Sequence, residues 1–348
     1  QSGDWLYIED PAVYFTKYAD GFTTEIGTFS MPPAETVRKF IKPEDLWPIN
    51  DVWHYHDFHS NTQNLRGYLR AMDSLYGPSG SMEDLARRAQ LVNYESHRTI
   101  FEAFQSKRWN RTSGVLLWMS HPAWPSLIWQ TYSWDYETGG AYFGAKKGCE
   151  PVHVQMNRDD GRILAMNATA KAYLKISVLA EVFDMAGRKQ YSATRVIDLP
   201  ADTVFEAMAP LSAAQSPEGP YMVRLTLRDR RGAILSVNEY WRNGPASKDF
   251  VAFNRLPESA LSLRVLSTSS GLLRVELSNP SRVPVVGVKL NLTDAQGKIL
   301  LPAYAGDGYF TLMPGERRAV DLQFPVGLPA AQIRTEAYNS RSAMHPLR

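Results

Sequence analysis

Gly21-Phe22-Thr23-Thr24-Glu25-Ile26-Gly27 is the stretch on which the fold of this chain turns. A short β-branched and aromatic run, broken by glycine at each end, has the pattern of a buried strand. It carries one acid, Glu25, near its C-terminal end. In a β/α barrel, a carboxylate in that place points into the mouth where the chemistry occurs. A strand-end glutamate in a surface ion pair would leave the same seven residues, so the sequence around it has to decide.

Upstream, residues 1 to about 20 mix Trp5, Tyr7, Tyr14 and Tyr18 with Pro11 and read as a loop entering the strand. Downstream, Pro33 suits the first turn of a short helix over 34–41. Trp53-His54-Tyr55-His56-Asp57-Phe58-His59 sets three histidines close together. That spacing has no regular structure to aim all three at one ion and no carboxylate motif beside it. It reads as a polar aromatic loop on a rim, and neither a metal nor another cofactor is expected. Two helices follow, one over 61–75 closed by Gly77-Pro78, the other from the capping-box-like start at Ser81 to about Gln105. Leu85, Ala89, Val92, Ile100, Phe101 and Phe104 recur at near-helical spacing and read as core packing. Gly114 to Met119 is then an apolar strand, short enough to be a buried parallel one.

Strand, helices, strand is the order of consecutive units in a (β/α)8 TIM barrel. Two strands cannot close a barrel. Residues 1–150 are therefore expected to be the C-terminal portion of one, with the remaining strands supplied by upstream sequence. From about residue 152 the pattern changes to alternation, as in Leu174 to Phe183, with turns at Asp184–Gly187 and Asp229–Gly232. Further strands are expected at 221–227 and 233–241. Gly244-Pro245 marks a boundary, and a second β set runs through 273–277, 285–292, 309–312 and 319–324. Two β-sandwich domains, 151–245 and 246–348, account for this most simply.

At 348 residues, two or three domains are expected. The 38 basic and 36 acidic residues leave a net charge of +2, which removes the main argument for nucleic acid or a charged membrane as partner. No apolar run approaches the roughly 20 residues of a membrane span. The 9 Trp, 17 Tyr and 14 Phe offer flat faces that suit sugar rings and large cores alike. The single cysteine, Cys149, excludes an internal disulfide framework and reads as a small buried residue. Asn110, Asn167 and Asn291 each open an Asn-x-Thr triplet, which counts only in a secreted eukaryotic protein.

The run from Gly114 through Trp118-Met119-Ser120-His121-Pro122-Ala123-Trp124 to Trp129, with Gly140 to Lys147 and Glu150 to His153, resembles the end of the catalytic barrel in glycoside hydrolase family 2. The resemblance is to the subgroup of exo-β-glucosaminidases and plant-type endo-β-mannosidases. Thr24 to Gly27 with Met31-Pro32, Arg88 to Tyr94, and Leu312-Met313-Pro314-Gly315-Glu316 match in the same order, the last as a turn of the family's C-terminal immunoglobulin-like domain. The resemblance spans nearly the whole chain. It implies that Glu25 is the catalytic nucleophile at the end of the seventh barrel strand. Trp118, at the end of the eighth, would be the floor of the sugar subsite.

The reaction implied is double displacement with retention, on β-linked glucosamine or mannose, with two carboxyl groups roughly 5 to 5.5 Å apart. The implied ligand is a β-linked oligo- or polysaccharide, and polymer substrates imply a secreted or periplasmic protein. The family's acid/base follows an asparagine on an earlier strand. No such pair precedes Glu25, and Asn238-Glu239 lies in a sandwich-strand pattern. The chain by itself is therefore expected to be inactive. His121 stands where relatives often carry a polar amide and Ser133 where many carry an acid. Trp124 and Trp129 align with family aromatics. His121 and Trp124 are taken with Trp118 as candidate substrate contacts. The competing readings are a non-catalytic carbohydrate- or partner-binding sandwich module with a barrel remnant, and the same machinery acting on a β-galactoside or β-glucuronide.

Overall fold

The computed structural model describes residues 2–5, 7–59, 63–129 and 131–347. Its first part is a parallel three-stranded sheet in the order β1 (Ser2–Trp5), β2 (Gly21–Gly27), β3 (Thr112–Leu117). The loop expected at the start of the chain is thus partly a strand, and the barrel portion has three neighbouring strands rather than two. Ser2-Gly3-Asp4-Trp5 has neither alternation nor a β-branched residue, so nothing in its local pattern marks it. Its pairing with β2 (Ser2 opposite Glu25) makes it a strand. Residues Tyr14–Tyr18, in the same expected loop, form one π-helical turn that buries Tyr14 and Phe15.

Helices α1 (Ala34–Val37), α2 (Asp51–Tyr55), α3 (Gln63–Tyr76) and α4 (Met82–Ser106) lie between β2 and β3. The histidine-rich segment is therefore helical through Tyr55, started by the Asn50 side chain, which accepts from the Val52 amide. α4 begins where Ser81 Oγ accepts the Asp84 N–H at 3.2 Å. Its apolar stripe packs in the helix core, and its polar side is buried too: Gln90, Asn93, His97, Arg98 and Glu102 are all inaccessible. Beyond Arg87 no residue of α4 is exposed, which marks a helix on which other layers have closed.

α5 (Gly140–Gly148) lies directly on α4. A Cβ at Gly140 would stand 1.9 Å from the Gln90 carbonyl oxygen, and one at Gly144 would stand 2.2 Å from that of Tyr94. Only glycine permits that approach. Phe143 of the same helix enters the core of the last domain.

The β region divides as the alternation implies. β4 (Val152–Met156), β5 (Ile163–Asn167) and β8 (Thr203–Met208) form one sheet, faced by β6 (Tyr173–Asp184), β7 (Lys189–Leu199), β9 (Pro220–Arg228) and β10 (Ile234–Asn243) in the order β10-β9-β6-β7. Val178, Ala180, Val182, Val223, Leu225 and Leu227 fill the space between them. In the second sandwich, β11 (Ser262–Ser269), β12 (Leu272–Ser278), β16 (Arg317–Gln323) and β14 (Tyr304–Ala305) form one sheet. β15 (Phe310–Leu312), β13 (Val285–Thr293), β17 (Gln332–Ala337) and β18 (Ser340–Pro346) form the other. Every residue of β13 is buried. No helix among the described residues is long and apolar enough to cross a membrane.

Candidate active site

Strand register places Glu25. Ile26 pairs with Leu117 across β2 and β3, and Ile26 and Val115 pack against Ile100, Ala103 and Phe104 of α4. Successive side chains on a strand point to opposite faces. Glu25, next to Ile26, therefore lies on the face away from the helices, as does the exposed Leu116 next to Val115. The next residue after β3 is Trp118, whose N–H donates to the Ile26 carbonyl at 2.9 Å, so the chain leaves β3 alongside Glu25. The Trp118 indole is 50% exposed and the Trp118–Met119 peptide is cis. Glu25 is half-buried, and among the described residues none hydrogen-bonds to or ion-pairs with its carboxylate.

The segment after Trp118 builds a rim. The Tyr132 N–H donates to the Ser120 carbonyl at 2.8 Å, returning the chain toward its start. His121 stacks on Tyr136, ring centroids 4.6 Å apart and 17° from parallel, and its Nε2 lies 3.2 Å from the Trp134 carbonyl oxygen. Trp124 is 37% exposed and stacks on His56 at 5.4 Å, while Tyr55 meets it edge-on at 5.6 Å. His56 is held by its Nδ1, 2.6 Å from the Pro125 carbonyl oxygen. His54 and His59 face each other instead, centroids 6.2 Å apart, so the three histidines do not converge.

Other sequence candidates resolve differently. Trp129 meets Phe29 at 4.3 Å with the rings tilted 41°, and packs against the helix core rather than presenting a face. Ser133 is buried in a turn, its N–H donating to the Glu137 carbonyl at 3.0 Å. Cys149, expected to be buried, is exposed because it caps the free end of α5. Asn167 and Asn291 are buried in hydrogen-bonded positions, and of the three triplets only Asn110 is exposed. Tyr55 lies in the 53–59 segment read from sequence as an aromatic rim, and Tyr136 is the rim aromatic that sequence reading missed. Both are strongly exposed, and in sequence the only signal for Tyr136 is proximity to Trp134.

Asn238-Glu239 is fully committed elsewhere. Asn238 donates to Glu102 Oε1 at 2.7 Å and accepts from Arg98 at 2.9 Å. Glu239 takes Arg318 at 2.8 Å, Arg224 at 3.1 Å and the Thr311 N–H at 2.7 Å. Burial alone would raise the Glu239 pKa, but those guanidinium groups hold it below the usual carboxylate value. A carboxylate pinned as an anion between two sandwiches is no general acid.

Parallel strands carrying a half-buried carboxylate beside an exposed indole, followed by two sandwiches, place the chain in the class of a barrel end joined to two β-sandwich domains. Residues 238–340 match the exo-β-D-glucosaminidase Ig-fold domain. The exo-β-D-glucosaminidase of Hypocrea jecorina is 28% identical, over 93% of this chain and 40% of its own length. The mannosylglycoprotein endo-β-mannosidase of Lilium longiflorum is 28% identical over 69% of this chain and 27% of its own. The fold matches the crystal structure of the Amycolatopsis orientalis exo-chitosanase CsxA with a TM-score of 0.88 at 24% identity, over 99% of this chain and 45% of that one. The chain is a relative of the exo-β-glucosaminidase and β-mannosidase subgroup of glycoside hydrolase family 2. It spans less than half the length of each of these relatives.

Proposed function

We propose that these residues form part of a retaining β-glycosidase acting on β-linked glucosamine or mannose, with Glu25 as its nucleophile. The observation that carries this is the placement of Glu25 and Trp118 at the same ends of adjacent parallel strands, with Glu25 on the face turned from the helices. In that role the Glu25 carboxylate attacks the anomeric carbon as the glycosidic C–O bond breaks, and the leaving oxygen takes a proton from a second carboxylic acid. Water, deprotonated by that second group, then cleaves the glycosyl ester and restores Glu25. The two groups need opposite environments, one that favours the anion and one that keeps the proton.

The second carboxyl is assigned to a barrel strand outside these residues, since Asn238-Glu239 is occupied. The 348 residues alone are accordingly expected to lack turnover. Trp118 offers a flat apolar face to the sugar ring, and His121 and Trp124 line the approach. A carbohydrate polymer as substrate fits a secreted or periplasmic location, which cell fractionation would decide.

The test is Glu25→Gln in the protein that includes the other barrel strands, together with a 2-fluoro glycosyl donor. Turnover should vanish, and peptide mass spectrometry should find the trapped sugar on Glu25. Normal turnover by the variant, or a label on another residue, would remove the assignment. A panel of nitrophenyl glycosides would separate glucosaminide and mannoside from galactoside and glucuronide.

A further inference from the structure

The turn that carries Tyr136 is fastened from beneath by a strand of the far sandwich. Tyr136 sits at φ +66°, with its N–H donating to the Ser133 carbonyl at 2.8 Å, and its ring is 51% exposed. So exposed a ring is placed by the backbone of its turn more than by packing around it. Its neighbour Glu137 points the other way and is buried. There Glu137 Oε1 accepts from Asn291 Nδ2 at 2.8 Å and meets Lys289 Nζ at 3.1 Å, both on β13. Lys289 is itself buried and faces two more carboxylates, Glu35 and Glu336, each at 3.6 Å. On the opposite side of the turn Asp135 takes Thr36 Oγ1 at 3.1 Å and an ion pair from Lys39. The turn is thus held at two points, by α1 within the barrel portion and by β13 outside it.

We propose that Lys289 is a positioning residue for the substrate rim, acting through Glu137 to hold Tyr136 and, through the ring stack, His121. This rests on the reading of the mouth as a sugar site. A buried ion pair contributes little net stability against an apolar alternative, but it fixes geometry, because either charge left alone is strongly disfavoured. Here the geometry it fixes is that of a turn one residue from an exposed aromatic. The last domain thereby sets the position of the mouth's wall.

The experiment compares the wild type with Lys289→Met in the protein carrying the full barrel, by amide hydrogen exchange and by steady-state kinetics on a nitrophenyl β-D-glucosaminide or β-D-mannoside. Exchange at Ser133 and Tyr136 should quicken about tenfold or more while strands β2 and β3 keep their protection. KM should rise about 3- to 10-fold with kcat changed less than about twofold, the signature of lost substrate binding rather than lost chemistry. Unchanged exchange in the turn would overturn the link, and faster exchange with unchanged KM would overturn the positioning role. Should Lys289→Met fail to fold, Asn291→Ala removes one donor to Glu137 and leaves both charges. It should give the same split at smaller size, and wild-type exchange and KM in that variant would refute the proposal. A wild type inert toward every glycoside would remove the sugar-site reading, while the exchange data would still decide the link between β13 and the turn.

Discussion

Two groups of side chains in this molecule look alike on paper and differ in every physical respect. The mouth around Glu25 and the junction around Glu102 each combine a carboxylate, a histidine and aromatic rings. In the junction, Glu102 Oε1 receives Tyr240 and Asn238, each at 2.7 Å, and His153 at 3.2 Å. Arg98 is ion-paired to Glu95 and lies 4.1 Å over the Tyr240 ring. Most polar groups there find a partner, Arg98 Nε standing 3.8 Å from Glu102 Oε1, and Glu102, Arg98, His153, Asn238 and Tyr240 are all inaccessible. At the mouth the carboxylate is half-open and the aromatics present bare faces. Saturation of partners marks a seam between domains. Unspent hydrogen-bonding capacity beside exposed apolar rings marks a place for a ligand.

The sharpest way to break this contrast is to neutralise one acid in each group. Glu25→Gln should lower kcat by about 10³-fold or more and leave the unfolding midpoint unchanged, since it removes the proposed nucleophile and no contact. Glu239→Gln should do the reverse, with kcat in the wild-type range and a lower midpoint. Next in size is the loss of the junction's buried cation. Arg98→Leu leaves Glu95 with Arg242 alone and takes the guanidinium from beside Glu102, and breaking a buried pair from one side costs about 3–5 kcal/mol, readable as a shift in denaturant midpoint. Gly144→Ala forces α5 off the Tyr94 carbonyl and should destabilise by about 1–3 kcal/mol with unchanged kcat, an overpacking effect. Trp124→Ala should spare stability and raise KM about 2- to 10-fold, matching one lost stacking face worth about 0.5–1.5 kcal/mol.

The junction should also show itself in pH dependence. Burial opposes charge on His153, but hydrogen bonds from its two ring nitrogens to Glu102 and Glu150 outweigh that and raise its pKa above 6.5. Burial raises Glu150, yet the His153 hydrogen bond and the Lys147 charge bring it down from 4.5 to about 2. The raised histidine stabilises fully below pH 6.5 and loses its contribution as pH climbs through the folded value. The depressed acid stabilises above pH 4.5 and loses its contribution as pH falls toward 2. This pair therefore adds most between pH 4.5 and 6.5. His153→Gln should flatten the alkaline side of the stability profile measured by thermal melts. An unaltered alkaline limb would show that the ring is not charged in the fold.

Much of the architecture was legible in the residues. Alternation from Leu174 to Phe183 and at 221–227 gave sandwich strands, since one face had to be apolar. Ser81 with Glu83 and Asp84 in the first turn gave the start of α4. What escaped reading had weak local pattern: Ser2–Trp5 is a strand only because β2 pairs with it, and β14 has two residues. Gly140–Gly148 matched as a motif but not as a helix. Its glycines are poor helix formers, and their value lies in contact with another helix. In the site, Glu25 was a candidate from its strand end, Trp118 from the family resemblance, and Tyr55 from its aromatic rim segment. Tyr136 could not be named, because exposure of an aromatic follows from which neighbours arrive to cover it.

By itself the sequence determined the class of most segments and named candidate residues for reactive and stacking chemistry, because period, capping and side-chain type are local properties. Tertiary structure alone decided which acid is open and which is spent. It joined Asn238-Glu239 to Arg98 and Arg318 across domain seams and to Arg224 on the neighbouring strand, and it set Lys289 under Glu137 from more than a hundred residues away. The reason is that the field at a carboxylate is set by whatever packs within a few ångströms of it, and the order of residues along the chain does not contain that distance.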